Sequence, residues 1–353
     1  MISRLCPSAV ARALTVISPW IRTTPILHSH LLDEWMGRKI YFKAEGFQVT
    51  GSFKVRGAIY SMLQAQKEHS NKHLDFTVFS SGNHAQGCAW AAKQLGMHAD
   101  VFMPQNTSAI KVQATRSYGA HVTLTSTRQE AEEACLKKTQ EGSLWLHPFD
   151  NDNGICGQGT AALEAFSQLP ETPEAIFATC GGGGWLSGTY LAREFAGLRS
   201  KIYGAEPSQA ADAKRSFETG HIHRFTSQPD SIADGARTPG VCQRTFQYLK
   251  ELDGFFSASE EEIIYWSQWL CHLLKTPVEP TSAVAMAAAR QYLQKNTATK
   301  GPLLVMLSGG NISPSSYQKI WNSSYLEQIP CRELDLEKKT SMSSQSPSLI
   351  LST

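Results

Sequence analysis

The sequence contains no long apolar run, no block of like charge and no paired cysteines, and each absence excludes a class of protein. No stretch of the 353 residues approaches the roughly 20 apolar residues that a membrane-spanning helix needs. Lysine and arginine (33) nearly balance aspartate and glutamate (31), which leaves a net charge of +2. Nucleic acid and anionic membranes are therefore excluded as the main partners.

The eight cysteines are scattered along the chain. They form no CxxC pair and no Cys/His cluster at zinc spacing, which argues against a disulfide framework. Reduced thiols are typical of a cytoplasmic protein, and we expect that location. Residues 1–19 lack the apolar core of a secretory signal. Residues 333–353 are rich in Ser, Lys and Gln and are predicted to be disordered.

What the sequence does contain is a series of strand-like and helix-like segments that alternate along most of the chain. The predicted strands are 39–44, 76–80, 100–103, 121–125, 144–147, 175–179, 201–205 and 303–307. The predicted helices are 55–63, 86–95, 108–118, 128–139, 157–169, 185–195, 260–274 and 282–293. Ser259 and Glu262 have the spacing of a capping box at the start of one of these helices.

This alternation predicts an α/β fold with parallel sheets. The strands and helices form two series that separate near residue 147. We therefore expect two domains with a cleft between them. The larger would contain residues 1–50 and 147–325, and the smaller would contain residues 51–146.

Lys54 is the first candidate for chemistry. It ends the stretch TGSFK (50–54), between the predicted strand 39–44 and the predicted helix 55–63. At a helix start the dipole disfavours an ammonium group and lowers its pKa. Such a position suits a nucleophilic amine, although a solvated surface lysine is the ordinary alternative.

Two polar loops follow predicted strands, where ligands bind in parallel sheets. Residues 80–87 read SSGNHAQG, and small residues with free amides at a helix start form a pocket for a carboxylate or phosphate. An ordinary helix cap at Ser81 or Asn83 is the alternative. Residues 308–311 read SGGN. Ser308 could meet a heteroaromatic nitrogen without bringing charge, and a plain turn is the alternative.

A third loop contains four consecutive glycines, 181–184. Such a run costs chain entropy and makes sense where the backbone wraps closely around an anion. Glu206, about 20 residues further on, would suit the ribose of a dinucleotide. However, the glycines do not fit GxGxxG, and no GKS or GKT is present. A single phosphate monoester is the better interpretation.

An amine, a phosphate loop, an asparagine-bearing loop and a hydroxyl at a strand end together meet the requirements of pyridoxal phosphate. The motifs that contain them occur in the order TGSFKVRGA, SSGNHAQG, GGGGWLSG and SGGN. In this order they resemble the serine/threonine dehydratase and serine racemase family of fold-type II, tryptophan-synthase-β-like enzymes. The resemblance runs from about residue 24 to residue 311. It implies two parallel-sheet α/β domains with pyridoxal phosphate in the cleft between them.

The resemblance also implies roles for individual residues. Lys54 would be the Schiff-base lysine, Asn83 would contact the ring hydroxyl, and Ser308 would meet the pyridine nitrogen. Because serine is neutral, we expect that nitrogen not to be held protonated. The implied cofactor-binding residues are Phe53, Lys54, Asn83, Gly181, Gly182, Gly183, Gly184 and Ser308. The substrate carboxylate would bind to the loop formed by Ser80, Ser81, Gly82, Asn83 and His84.

A further match concerns a divalent cation. Glu206, the Ala210 carbonyl and Asp212 are similar to the cation site of the family. Oxygen ligands that include a backbone carbonyl suit Mg²⁺ or Ca²⁺. Two solvated carboxylates near a helix start are the alternative.

The activity implied by the resemblance is that of an ammonia-lyase. Lys54 would remove the Cα proton of L-threonine or L-serine, the β-hydroxyl would leave, and 2-oxobutanoate or pyruvate would be released with ammonia. Ser81 occupies the place of the second acid/base of serine racemase, so a racemase of serine or aspartate remains open. Arg237 departs from the family. It could read a second anionic group, as in 3-hydroxyaspartate, or pair on the surface. The resemblance also implies a homodimer.

Overall fold

The computed structural model describes residues 3–69, 74–298 and 300–331. The segment 333–353, which we predicted to be disordered, lies outside these residues. In these ranges, none of the helices is both long enough and apolar enough to cross a membrane.

The strands of the described residues are β1 (Ile26–His28), β2 (Ile40–Ala44), β3 (Asp75–Phe79), β4 (His98–Pro104), β5 (His121–Thr125), β6 (Leu144–Trp145), β7 (Ala175–Thr179), β8 (Lys201–Pro207), β9 (Gly254–Ala258) and β10 (Leu303–Leu307). The α-helices of the same residues are α1 (Ser8–Ile17), α2 (His30–Met36), α3 (Lys54–Glu68), α4 (Asn83–Gln94), α5 (Ala109–Ser117), α6 (Arg128–Gln140), α7 (Asp152–Gln168), α8 (Gly184–Ala196), α9 (Asp212–Thr219), α10 (Gln243–Leu249), α11 (Glu260–Leu274), α12 (Pro280–Lys295) and α13 (Pro314–Ile320). Short 3₁₀ turns occur at Glu45–Phe47, Ser208–Ala210 and Asp234–Ala236.

The strands form two sheets. The larger has the order β1-β2-β10-β7-β8-β9 and the smaller the order β5-β4-β3-β6. Every neighbouring pair is parallel except β1 and β2, which are antiparallel. The predicted α/β fold with two parallel sheets is confirmed. The antiparallel edge strand was not predicted, although such edges are common on parallel sheets.

The two central strands of the larger sheet, β10 and β7, are apolar except for Thr179 at the end of β7, because helices cover both faces. In β7, Phe177 packs into the cluster that contains α11 and α12, whereas Ile176 packs into the cluster that contains α7 and α8. In β10, Leu303 packs into the cluster with α11 and α12, and Leu304 packs into the cluster with α7 and α8. This packing holds the carboxyl ends of β7 and β10 side by side.

The smaller sheet packs against α3 and α4, and the segment that precedes α3 is hydrogen-bonded to the larger sheet. The Phe53 N–H donates to the Ser308 carbonyl at 3.1 Å, and the Gly310 N–H donates to the Gly51 carbonyl at 3.0 Å. Ser52 and Gly309 also form an isolated antiparallel bridge. Lys54, the first residue of α3, is therefore fixed relative to the end of β10.

Some predicted boundaries were wrong. The strand predicted at 144–147 ends at Trp145, and the helix predicted from residue 157 begins at Asp152. The Asn151 side chain explains the early start, because it accepts a hydrogen bond from the Gly154 N–H and caps the helix. The capping box of Ser259 and Glu262 is present as predicted. The proposed division into domains at residues 51 and 147 stays a prediction.

Candidate active site

A cavity of about 370 Å³ is lined by the first turn of α3 and by the loops that follow β3, β7 and β10. It brings together every residue that we predicted to contact cofactor or substrate, although those residues are far apart in sequence. They are Phe53, Lys54, Ser80, Ser81, Gly82, Asn83, His84, Gly181, Gly182, Gly183, Gly184, Arg237 and Ser308. The three predicted cation ligands, Glu206, Ala210 and Asp212, do not line this cavity.

The Lys54 amine lies in this cavity and has a lowered pKa. Its Nζ donates a hydrogen bond to the Pro148 carbonyl at 3.1 Å. Burial lowers the pKa of Lys54 from 10.5 to about 8, and the surrounding acidic groups, Cys88 and Glu279, offset only part of this effect. The sequence pointed to the helix dipole as the cause, but desolvation is the largest contribution. A substantial share of this amine is therefore neutral near pH 8.

The aromatic side of the cavity is built around Phe53. Its ring stacks on Trp185, with centroids 4.1 Å apart and an angle of 9° between the planes. The Lys54 Nζ lies 5.1 Å from the centroid of the Phe53 ring. Phe53 thus holds the segment that carries Lys54 against the start of α8.

The glycine loop has no room for side chains. A Cβ on Gly182 would lie 2.0 Å from the Phe149 ring, and Gly183 has a φ of +85°, which side chains rarely adopt. The loop ends at Gly184, the first residue of α8. Unpaired N–H groups and the helix dipole make such a position suitable for a phosphate.

The loop after β3 contains the Ser81 hydroxyl, which has no hydrogen-bond partner in the described chain, and the His84 ring, which is hydrogen-bonded. Ser81 is half-buried and has no side-chain hydrogen bond within the described part of the chain. The His84 Nε2 instead donates to the Leu146 carbonyl at 2.8 Å. Burial, assisted by Lys54, lowers the pKa of His84 to about 3, so its ring is neutral at physiological pH.

The most consequential residue that the sequence did not reveal is Glu279. Its side chain is buried in the cavity wall, where it accepts hydrogen bonds from Ser308 Oγ at 2.6 Å and from Asn83 Nδ2 at 3.0 Å. Burial raises its pKa to about 6. A glutamate before a proline at a helix start is unremarkable in sequence, so no local pattern could have singled it out.

The cavity also contains cationic side chains that were not predicted. The Arg128 guanidinium lies 4.5 Å above the Phe79 ring, and burial lowers its pKa. Lys111 forms a short ion pair with Asp234. Their positions depend on which helices face the cleft, so sequence spacing alone gave no signal for them.

Arg237 and Thr238 leave polar atoms unpaired beside these cations. The Arg237 Nη1 is 3.4 Å from an oxygen of the exposed Asp230, but its Nε is buried without a partner among the described residues. The Thr238 hydroxyl is also buried and unpaired in this part of the chain. Both donors are available to an anionic group in the cavity.

Glu206 and Asp212 form a separate pair of buried carboxylates at the end of β8 and the start of α9. Glu206 accepts from the N–H groups of Ala213 and Lys214, whereas Asp212 Oδ1 is buried without a partner in the described structure. Burial raises the pKa of both carboxyls, that of Asp212 to about 7. Among the described residues, no group of three His, Cys, Asp or Glu side chains could hold a metal. A cation here would therefore need the Ala210 carbonyl or water.

The residues that line the main cavity fit pyridoxal phosphate. The glycine loop leaves only backbone beside Phe149, as a phosphate requires, and the unpaired Thr238 hydroxyl lies near Gly181. Lys54 supplies a partly neutral amine for the aldehyde, and Ser308 and Asn83 supply polar groups for the ring.

Comparison with known proteins agrees with this fit. Residues 17–309 match the family described as pyridoxal-phosphate dependent enzyme. L-threo-3-hydroxyaspartate ammonia-lyase of Saccharomyces cerevisiae is 36% identical over 304 residues, which cover 85% of this chain and 91% of that protein. Serine racemase of Dictyostelium discoideum is 37% identical over 310 residues, which cover 87% and 94%. The crystal structure of a T.th. threonine deaminase superposes with a TM-score of 0.81 and 38% identity, covering 87% and 98%. The chain therefore belongs to the family of pyridoxal-phosphate dependent enzymes, within its fold-type II lyases and racemases.

Proposed function

We propose that the protein is an ammonia-lyase that converts L-threonine, L-serine or both into a 2-oxo acid and ammonia by α,β-elimination. The observation that carries this proposal is the Lys54 amine, whose pKa is lowered to about 8 inside the cavity that the glycine loop also lines. A general base is most effective when its pKa lies near the working pH. The relatives named as threonine deaminase and hydroxyaspartate ammonia-lyase support this reaction class.

The proposed cofactor contacts follow from the cavity wall. The amides of the glycine loop would hold the phosphate, Asn83 would contact the ring hydroxyl, and Phe53 would support the lysine segment. Pyridoxal phosphate supplies, when bound, a conjugated system that stabilises negative charge on the substrate Cα. What remains for the chain is to hold the substrate carboxylate and to move the Cα proton.

Lys54 is the residue that we propose for the proton transfer. In its neutral form the Nζ has a lone pair that can accept the Cα proton. The Pro148 carbonyl, 3.1 Å from Nζ, limits the directions in which that lone pair points. The Ser81 hydroxyl, with no partner of its own in the described chain, is available to the substrate carboxylate.

The direct test uses the purified protein loaded with pyridoxal phosphate. L-threonine and L-serine are supplied separately, and both 2-oxo acid release and the enantiomer of the remaining amino acid are followed. We expect 2-oxo acid to form with little D-isomer. No 2-oxo acid from either substrate, despite bound cofactor, would contradict the proposal.

A second candidate substrate is a dicarboxylate such as L-threo-3-hydroxyaspartate. The observation that favours it is that Arg128 and Arg237 both line the cavity and lie close enough to repel each other, so that Arg237 adds to the effect of burial in lowering the pKa of Arg128. Arg128 has no hydrogen bond or ion pair within the described residues, and the Nε of Arg237 is unpaired there. A second carboxylate would satisfy both groups.

Replacement of Arg237 distinguishes these substrates. If the dicarboxylate is the substrate, Arg237→Met should lower kcat/KM for 3-hydroxyaspartate by roughly 10- to 100-fold, since a hydrogen bond to a charged group contributes about 1.5–3 kcal/mol. The value for L-threonine should change little. Arg215→Met, at an exposed position outside the cavity, is the matched control. Equal losses for both substrates would contradict a selective role.

Racemisation is the alternative activity, and Ser81 is the residue on which it depends. Its hydroxyl lines the same cavity as Lys54. If it returns a proton to the opposite face of Cα, D-isomer formation should exceed 2-oxo acid release. Ser81→Ala should then abolish racemisation, whereas elimination should lose only the contact of the hydroxyl with the substrate carboxylate and fall much less. The relative named serine racemase supports keeping this alternative.

We further propose that Glu206, the Ala210 carbonyl and Asp212 hold Mg²⁺ or Ca²⁺. The unpaired oxygen of Asp212 and the raised pKa of both carboxyls support a positive charge between them. The family resemblance also supports a homodimer. The eight free cysteines support a cytoplasmic location.

A further inference from the structure

The segment between β6 and α7, residues 146–151, contacts both the reactive lysine and the glycine loop. The Pro148 carbonyl accepts a hydrogen bond from the Lys54 Nζ at 3.1 Å. The ring of the next residue, Phe149, covers Gly182 so closely that no Cβ would fit there. A displacement of this segment would therefore change the surroundings of the amine and of the glycine loop together.

Hydrogen bonds within the segment and to two helices fix part of its shape. The Asp150 N–H donates to His147 Nδ1 at 2.8 Å, which closes a tight turn. The Asn151 side chain accepts from the first turn of α7 and donates to Ser61 Oγ of α3 at 3.0 Å. These contacts set the turn and attach it to α3 and α7.

Arg244 attaches the same segment to α10. Its Nε donates to Asp150 Oδ1 at 2.8 Å, and its Nη1 donates to Asp152 Oδ2 at 2.6 Å. The two donors of one planar guanidinium thus engage two carboxylates on either side of the residue that caps α7, a geometry that a single ammonium group cannot reproduce. The Arg244 side chain is only 25% exposed, so water screens these pairs in part.

Helix α10 is also hydrogen-bonded to the glycine loop. The buried Thr245 hydroxyl donates to the Gly182 carbonyl at 2.8 Å. Arg244 and Thr245 are neighbours, so one turn of α10 holds Gly182 through one side chain and the 146–151 segment through the other. Phe149 closes this set of contacts where it meets Gly182.

We propose that Arg244 is a positioning residue that holds the 146–151 segment against the glycine loop. Pro148 then stays beside the Lys54 amine, and Phe149 stays over the loop that would hold the cofactor phosphate. Arg244 is not among the residues that line the cavity, so it acts through these neighbours. Only the effect on the phosphate rests on the proposed function, since the effect on the amine concerns the protein without cofactor.

The first measurement is the pH midpoint of amine labelling at Lys54 in cofactor-free Arg244→Met protein. Methionine removes both ionic contacts and keeps an unbranched side chain. Once the segment is released, water reaches the amine, and the midpoint should rise from about 8 toward 10.5. The second measurement is isothermal titration with pyridoxal phosphate. We expect the affinity to fall about fivefold, the size expected for a partly exposed ion pair.

Asp150→Ala separates positioning from a change in charge. It also releases the segment from Arg244, but it removes a negative charge instead of a positive one. We expect it to raise the Lys54 midpoint and to weaken cofactor binding, as Arg244→Met does. The double variant should add little to either single variant, because both remove the same contact. If charge alone were responsible, Asp150→Ala would lower the midpoint and tighten binding.

Two further arginine variants complete the comparison. Arg244→Lys keeps the charge and can reach one carboxylate, so its effects should lie between those of the wild type and Arg244→Met. It also serves as the test if the methionine variant fails to fold. Arg193→Met is the control, because Arg193 pairs with Glu194 and Asp253 near the opposite end of α8 from the glycine loop. It should match the wild type in both measurements.

Three results would overturn the inference. They are an unchanged Lys54 midpoint in Arg244→Met, opposite effects of Arg244→Met and Asp150→Ala, and an equal change in Arg193→Met. Wild-type protein that does not bind pyridoxal phosphate would instead contradict the proposed function, and the Lys54 midpoint would still test the role of Arg244.

Discussion

The reactivity of the Lys54 amine depends on the burial of its side chain. Because burial lowers its pKa to about 8, we expect it to react with an amine-specific reagent in cofactor-free protein with a midpoint near pH 8. Labelling followed by mass spectrometry of the Lys54 peptide measures this midpoint. In urea-unfolded protein burial is lost, and the midpoint of the same peptide should rise toward 10.5. Equal midpoints in folded and unfolded protein would show that burial has no such effect.

Gly182 is a second residue whose identity has a measurable consequence. A Cβ there would overlap the Phe149 ring, so Gly182→Ala must displace the ring or the loop. We expect this overpacking to cost about 1–3 kcal/mol of unfolding free energy and to weaken cofactor binding. Isothermal titration with pyridoxal phosphate and urea unfolding measure the two effects.

The control for this substitution is Gly154→Ala in the first turn of α7. A Cβ at Gly154 would lie 3.4 Å from its nearest neighbour, which is an ordinary contact. This variant should bind the cofactor like the wild type. If both alanine variants lose cofactor equally, the tight space at Gly182 is not the cause.

At the scale of elements, a buried ion cluster holds the start of α3 against its neighbours. Arg56, two residues after Lys54, donates to Glu45 at 2.7 Å and to Glu164 of α7 at 3.0 Å. Lys43 of β2 donates to the same Glu164 at 2.5 Å. The side chains of Arg56 and Glu45 are completely buried. The cluster therefore ties β2, α3 and α7 together next to Lys54.

Arg56→Met is expected to destabilise the protein strongly. It leaves Glu45 as a buried charge without its partner, which costs about 3–5 kcal/mol. Urea unfolding measures the loss. Lys39→Met is the control, because Lys39 and Glu171 form an exposed pair whose loss should cost no more than about 1 kcal/mol. Similar costs for the two variants would contradict the role of the cluster.

Strands and helices could be predicted from the sequence where the local pattern of apolar and polar residues defines them. The strands at 121–125, 175–179 and 303–307 have the predicted bounds, because short apolar or alternating runs bounded by polar loops suffice to define them. Strand β9 and helix α10 were not predicted. Both are short, and their burial against β8 and α8 comes from tertiary packing that periodicity does not reveal.

The site divides in the same way. Lys54, the glycine loop and the SSGN loop belong to local motifs and were found from sequence. Glu279 was not found from sequence, because its hydrogen-bond partners are distant along the chain. Asn83 is 196 residues away and Ser308 is 29 residues away. Only the fold brings the start of α12 to the end of β10.

At the scale of the whole molecule, binding of the proposed cation would raise the free energy of unfolding. A ligand that binds only the folded state at 100 times its Kd adds about 2.7 kcal/mol. Mg²⁺ or Ca²⁺ should therefore raise the Tm of the wild type by several degrees but should not raise that of Asp212→Asn. Glu218→Gln, at an exposed position on the same helix α9, should respond like the wild type. A cation-dependent Tm in Asp212→Asn would place the ion elsewhere.

We propose that Lys54, in the main cavity, carries out the elimination. The measurement that tests it most directly is 2-oxo acid release by wild type and Lys54→Ala, both supplied with pyridoxal phosphate, from L-threonine, L-serine and L-threo-3-hydroxyaspartate. We predict turnover of at least one substrate by the wild type and a loss of roughly 10²- to 10⁴-fold in the variant, the usual contribution of a general base. Full turnover by Lys54→Ala would show that another residue moves the Cα proton.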